Sequence, residues 1–298
     1  MKLKTSFEIT MSRNNQYLFY INNTSLKIRD LISKSKEISF KDVTRPSYIC
    51  LSNQQEEVAI VTASGQFAVY NFITNEKILI DKRSKHETCN IKFSPDDKYL
   101  ITGDWNGNIY MLDKKNIKVS LLMTINNSMI VNINSINDTF YFLITPKADL
   151  ESGKIEKKIS LLQWKYPFQQ DYEIINFDFY SSNMICTKNE FIIIDNHFDK
   201  ELNVYDISKN KIKSKLKFND AIEYFTLSNN LKYLSVISNK KVCLYQFNSL
   251  KPICNYSLNY PCYVNFSDDS KYILIGSWES GLVLEVEEFI RQTKVTSD

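Results

Sequence analysis

The feature that most constrains the fold of this chain is a recurrence. A short segment ending in Ser or Thr, followed by turn residues and then an apolar run, returns seven times. It reads EITMSRNNQYL at Ser12, YICLSNQQEEV at Ser52, NIKFSPDDKYL at Ser94, VNINSINDTFY at Ser135, MICTKNEFII at Thr187, YFTLSNNLKYL at Ser228 and YVNFSDDSKYI at Ser267. These anchors are 40, 42, 41, 52, 41 and 39 residues apart. Such a period marks a repeat architecture, in which each unit buries its apolar faces against its neighbours.

A second spacing tests the alignment. From each anchor to the polar residue closing the third strand the count is 18 to Asp30, 19 to Asn71, 19 to Asp113, 19 to Asp206, 18 to Gln246 and 20 to Glu287. The fourth repeat alone departs, with 28 to Gln163, and this accounts for most of the 52-residue interval. Its extra residues fall in TPKADLESGKIEKK, a lengthened loop between second and third strands. Limited proteolysis is expected to cut there first, near Lys154 to Lys158.

The third repeat shows the pattern most completely. Cys89 to Phe93 alternates, Ser94-Pro95-Asp96-Asp97 is turn chemistry, Tyr99 to Thr102 is apolar, and Asn106-Gly107 is a strong hairpin signal. Fourth strands are predicted at Lys36 to Phe40, Glu76 to Ile80, Val119 to Ile125, Tyr172 to Phe177, Lys213 to Phe218 and Ile253 to Leu258. Helical periodicity is confined to a possible turn at Glu287 to Arg291. The sequence therefore predicts an all-β fold, a seven-bladed β-propeller of four-stranded antiparallel blades spanning residues 1–298 as one domain. The seventh blade needs an outer strand, and Lys2 to Thr5 is favoured over Gln292 to Thr296 because it removes the last open edge.

The third repeat resembles a unit of the WD-repeat family, with its turn after the first strand and an acidic residue closing the third. In that family a His, a Ser or Thr, an Asp and a Trp form a structural tetrad. Here His86 and Thr102 match, while Asn106 and Leu112 stand at the Asp and Trp positions. The other six repeats lack the His, so the resemblance is to a divergent member held mainly by apolar packing. Turns use Asn where the family prefers Gly, as at Asn22-Asn23 and Asn229-Asn230, since Asn tolerates left-handed backbone.

Composition narrows the function. A net charge of +3 lacks the concentrated basic face that nucleic acid demands. No run is long and apolar enough for a membrane span. The six cysteines form no C-x-x-C pair and sit in or beside apolar strands, which reads as free, structural thiols in the cytoplasm or nucleus. The two histidines, His86 and His197, do not assemble a ligand set, and neither phosphate loop nor paired catalytic carboxylates occur. The expectation is no enzyme, no catalytic residue, no metal and no cofactor.

What the family resemblance implies is a protein-interaction scaffold, monomeric and acting within a complex of protein partners. The second reading is a sensing or effector module that binds a small ligand or nucleic acid at the mouth of the central channel. Trp105 and Trp278 each lie 11 residues after their anchor serines, in TGDWNG and IGSWESG, and Phe198 lies 11 after Thr187. All three fall on the hairpin between second and third strands, a set of turns that opens on one propeller face. Large aromatics at turn tips mark interaction sites, so the predicted partner-binding residues are Trp105, Trp278 and Phe198, with Asp104, His197 and Glu279 beside them.

Overall fold

The computed structural model describes residues 1–22, 24–33, 37–43, 45–62, 64–82, 88–147, 158–168, 171–187 and 191–294. His86 and most of the TPKADLESGKIEKK loop lie outside the described residues.

The chain starts with β1 (Lys2–Ser6) and then lays down blades in sequence order. Blade one is β2 (Ile9–Met11), β3 (Tyr17–Ile21), β4 (Leu26–Asp30) and β5 (Ile38–Phe40). Blade two is β6 (Pro46–Leu51), β7 (Glu57–Thr62), β8 (Gln66–Asn71) and β9 (Glu76–Lys82). Blade three is β10 (Thr88–Phe93), β11 (Tyr99–Asp104), β12 (Asn108–Asp113) and β13 (Lys118–Thr124). Blade four is β14 (Ser128–Ile136), β15 (Thr139–Pro146), β16 (Ile159–Lys165) and β17 (Tyr172–Phe177). Blade five is β18 (Met184–Cys186), β19 (Phe191–Asn196), β20 (Glu201–Asp206) and β21 (Lys211–Lys217). Blade six is β22 (Tyr224–Leu227), β23 (Tyr233–Ser238), β24 (Lys241–Gln246) and β25 (Lys251–Ser257). The fold is a seven-bladed β-propeller of antiparallel blades.

Blade seven differs in construction. β26 (Pro261–Phe266) pairs with the first half of β27 (Tyr272–Glu285), and β1 pairs with its second half, through Lys2↔Leu282 and Leu3↔Gly281. β27 doubles back on itself, since the Val286 N–H reaches the Lys271 carbonyl at 2.8 Å. The N-terminal strand therefore supplies the outer strand, as the edge argument favours. The described residues then close with α1 (Val286–Lys294), longer than the single turn expected from sequence. Its Val286 and Phe289 are buried against Tyr256 and β27, so packing rather than intrinsic propensity sustains this short helix.

The anchor serines owe their recurrence to one hydrogen-bond arrangement. Ser94 is fully buried, its hydroxyl donates to Asp96 Oδ1 at 2.7 Å, and it accepts the Tyr99 N–H at 3.0 Å. Ser12, Ser228 and Ser267 do the same with Asn14, Asn230 and Asp269 and with the N–H groups of Tyr17, Tyr233 and Tyr272. Each turn then needs left-handed backbone three residues after the anchor, at Asn15, Gln55, Asp97, Leu231 and Ser270. Asn229 and Asn230 are thus not the left-handed residues expected of them. Asn230 serves instead as the serine's acceptor, and Asn22 accepts the N–H groups of Thr24 and Ser25. Ser135 also departs from the pattern, lying inside β14 opposite Phe140 with left-handed Asn137 in a tight turn.

By their contacts the described residues divide into two compact units, Met1–Ile49 with Phe218–Asp298, and Cys50–Lys217. In each unit the core lies between successive blades. In the second, Cys89, Ile101 and Ile109 of blade three pack on Ile130, Phe140 and Phe142 of blade four. In the first, Leu3, Ile9, Met11 and Leu18 pack on Leu274 and Val283. Middle strands such as β23 are buried at every position, because a blade is covered on both faces. Each such aliphatic or aromatic side chain contributes about 1.5–3 kcal/mol by leaving water. None of the six cysteines is in a disulfide, and burial holds the Cys89 thiol up at about 12. No helix among the described residues is long and apolar enough to cross a membrane.

Candidate functional site

The hairpins between second and third strands carry the predicted residues. In blade three, Asp104 closes β11 and is fully buried. Its Oδ1 accepts the N–H groups of Asn106 and Asn108 at 2.9 and 3.0 Å, and its Oδ2 accepts the Tyr110 hydroxyl at 3.1 Å. Asp104 therefore builds the turn from within, and its carboxylate does not face outward. Trp105 is carried on the tip with 43% of its surface exposed. Beside it, Lys147 Nζ donates to Asn106 Oδ1 at 2.7 Å.

In blade five, His197 and Phe198 form the tip between β19 and β20. Their rings are 5.7 Å apart and nearly perpendicular, and Tyr180 stands 5.7 Å from Phe198. Phe198 is 45% exposed. The hairpin is tied to the preceding loop by the His197 N–H donating to the Tyr180 carbonyl at 3.1 Å. Beneath it, buried Asp195 accepts the Ser181 hydroxyl and the Asn183 N–H, the latter at 3.0 Å. Burial holds the Asp195 carboxyl above the usual range, although these donors oppose it. Because the same Asp195 oxygen also accepts the Ser182 N–H, the group ties the loop before β18 to the end of β19.

Blade seven, in the other unit, repeats the arrangement. The Trp278 N–H donates to the Tyr260 carbonyl at 3.2 Å, and Ser277 Oγ donates to the Asn259 carbonyl at 2.5 Å. Trp278 is 62% exposed and Tyr260 56%. The Phe7 ring meets the indole edge-on, with centroids 4.6 Å apart, so the exposed ring is braced from one side. Glu279 accepts from Asn259 Nδ2 at 3.1 Å, and Lys240 Nζ lies 5.8 Å from the centre of the Tyr260 ring.

Sequence reading missed three features of these tips, and two of them had a signal. Tyr180 and Tyr260 both lie seven residues before their anchors, the position that sets a tyrosine beside the hairpin aromatic. Gly103 and Gly276 both lie two residues before their tryptophans. A Cβ on Gly103 would stand 2.5 Å from Ile130 Cγ2, and one on Gly276 would stand 2.2 Å from the Phe7 carbonyl oxygen. Gly103 lets its hairpin lie against Ile130 in the first strand of blade four, and Gly276 lets its hairpin lie against Phe7, in the chain between β1 and β2. Phe7, which gave no such signal, is reached only by folding.

No family model and no curated protein matches the sequence. Among solved structures, the chain is similar to Kuenenia stuttgartiensis hydrazine synthase, with a TM-score of 0.73, 14% identity, and 95% of this chain and 96% of that one covered. It is also similar to the β-propeller domain of Cps50 (Swd1) from Myceliophteria thermophila, with a TM-score of 0.78, 7% identity, and again 95% and 96% covered. The likeness is one of fold. Proteins with such different names share this scaffold, so function has to be argued from the tips themselves. Trp105 and Phe198 stand on separate blades of one unit, and Trp278 belongs to the other. Among the described residues no group of three His, Cys, Asp or Glu is placed to hold a metal ion.

Proposed function

We propose that this chain is a non-enzymatic scaffold that binds protein partners through its hairpin tips. Trp105, Phe198 and Trp278 are the anchors, flanked by His197 and Glu279, while Asp104 shapes the turn. The observation that carries this reading is the exposure of Trp278, 62% despite the Phe7 ring beneath it. A ring held rigid but left in water loses little entropy on binding and gains the full transfer of its apolar face. Such rings contribute most when a partner desolvates them. The unpaired cysteines support a reducing compartment, the cytoplasm or nucleus.

Affinity purification followed by mass spectrometry identifies the partner, and Trp105→Ala with Trp278→Ala then tests the site. The double variant is expected to keep its melting temperature within a few degrees and to bind the purified partner at least ~30-fold more weakly, from hot-spot losses of about 2 kcal/mol or more. Unchanged affinity, or a collapse of stability, assigns these rings to packing and overturns the site.

A further inference from the structure

Buried polar groups in a folded protein are almost always hydrogen-bonded, so a cluster of unpaired ones points to a further partner. Among the described residues seven buried side-chain atoms have no hydrogen-bond partner, and four of them belong to Thr145, Glu201 and Asn203. Thr145 and Asn203 are fully buried and Glu201 nearly so. Both ends of the Asn203 carboxamide, Oδ1 and Nδ2, are unpaired, together with Thr145 Oγ1 and Glu201 Oε2. The other Glu201 oxygen has the exposed Lys217 Nζ 3.2 Å away, while Lys215 Nζ, also exposed, stands 3.6 Å from Oε2.

These three side chains line one seam. Strand residues alternate between the two faces of a sheet. Thr145 continues the face of Tyr141 and Leu143 in β15, and Glu201 and Asn203 continue the face of Tyr205 in β20. Tyr141, Leu143 and Tyr205 pack together between blades four and five, within one unit. Both strands carry their polar residues at the end next to the hairpin between second and third strands, where the apolar layer of the seam gives way to a polar one.

Blade three shows how such a place is satisfied by protein alone. There Asp104, the last residue of the second strand, accepts Asn108 Nδ2 at 3.0 Å and the Tyr110 hydroxyl at 3.1 Å, from the first and third residues of the next strand. Blade five has Asn196, Glu201 and Asn203 at these positions, and Asn196 is turned to Asp199, whose Oδ2 accepts its Nδ2 at 2.8 Å. The Asp104 carboxylate therefore has no counterpart in blade five, and asparagine is shorter than tyrosine by a ring, so water has both room and polar partners. We propose that ordered water occupies this hub, accepting from Asn203 Nδ2 and donating to Asn203 Oδ1, Glu201 Oε2 and Thr145 Oγ1, and so joins blade five to blade four. Chemistry selects water over an ion, because Glu201 repels an anion and a cation would leave the Asn203 amide nitrogen unpaired.

A crystal structure of the full chain that resolves ordered solvent tests this, independently of any hairpin partner. Density for water is expected within hydrogen-bond distance of the Asn203 carboxamide and of Glu201 or Thr145. In Asn203→Leu that water is expected to be lost and the melting midpoint to fall, since Glu201 and Thr145 lose a partner with it. In a dry seam the same substitution would remove an unpaired buried amide and raise the midpoint. A raised midpoint therefore overturns the proposal. So does wild-type density that shows the carboxamide bonded directly to protein groups, a seam without water, or a metal ion in the water's place.

Discussion

At the scale of the residue, the anchor serine shows how one side chain can impose a period on a whole chain. Ser94 sits where the first strand ends, buried, with its hydroxyl joined to Asp96 and to the Tyr99 N–H. Ala at position 94 leaves that N–H without its acceptor, at a cost of about 1–3 kcal/mol. Ser135 occupies the same place in the sequence pattern but lies half-buried within β14, where the turn is closed through Asn137. Ser94→Ala is therefore expected to lower the unfolding free energy in urea clearly more than Ser135→Ala; equal losses would show that the serine cap is not what the repeat preserves. The hydroxyl also explains why the repeats could be aligned from sequence, since a chemical requirement at one atom leaves a fixed letter. Asp104 was legible as a hairpin residue but not as a buried one. Its orientation depends on Asn108 and Tyr110, which come from the next strand.

Between elements, close approach is what organises the hairpin tips. Gly276 of β27 lies under the Phe7 carbonyl and Gly103 of β11 under the Ile130 side chain, so both hairpins press on the start of the following blade. Strands were legible because buried alternation and turn residues are local signals. These contacts were not, because Phe7 and Ile130 belong to other repeats. The helix α1 is longer than its sequence announces for the same reason, as Phe289 finds its burial on Tyr256 and β27 rather than in its own sequence. Ala at position 276 would need the Phe7 carbonyl to move, and at position 103 it would stand 2.6 Å from the Ile130 Cβ, which no rotamer change can move. Thermal melting should find Gly276→Ala and Gly103→Ala each destabilising, by about 1–3 kcal/mol or more. A neutral Gly276→Ala would mean that the tip of blade seven does not rest on the chain entering blade one.

At the scale of the molecule, seven units at a spacing broken once, by the long fourth repeat, made the propeller legible, but spacing says nothing about how the last blade is completed. That outcome rests on β1, whose Leu3 is buried with Ile9, Met11, Leu18, Leu274 and Val283, while Lys2 and Lys4 alternate outward. The alternation is a half-buried strand pattern that four residues are too short to announce by themselves. Pairing Lys2 with Leu282 joins sequence positions far apart, so the loop-closure cost is met only when the later strands of the chain are already in place. Deleting residues 1–5 removes the outer strand of blade seven and uncovers Val283 and Leu274 together. Loss of Leu3 burial alone costs about 2–5 kcal/mol, and in a chain of this size each kcal/mol moves the midpoint by roughly 2 °C. The truncated protein is therefore expected to melt at least ~4 °C below the full chain, while Lys2→Ala with Lys4→Ala, which changes only the outward face, should leave the midpoint nearly unmoved. An unchanged midpoint in the truncated protein would mean that β1 adds nothing to the blade it borders.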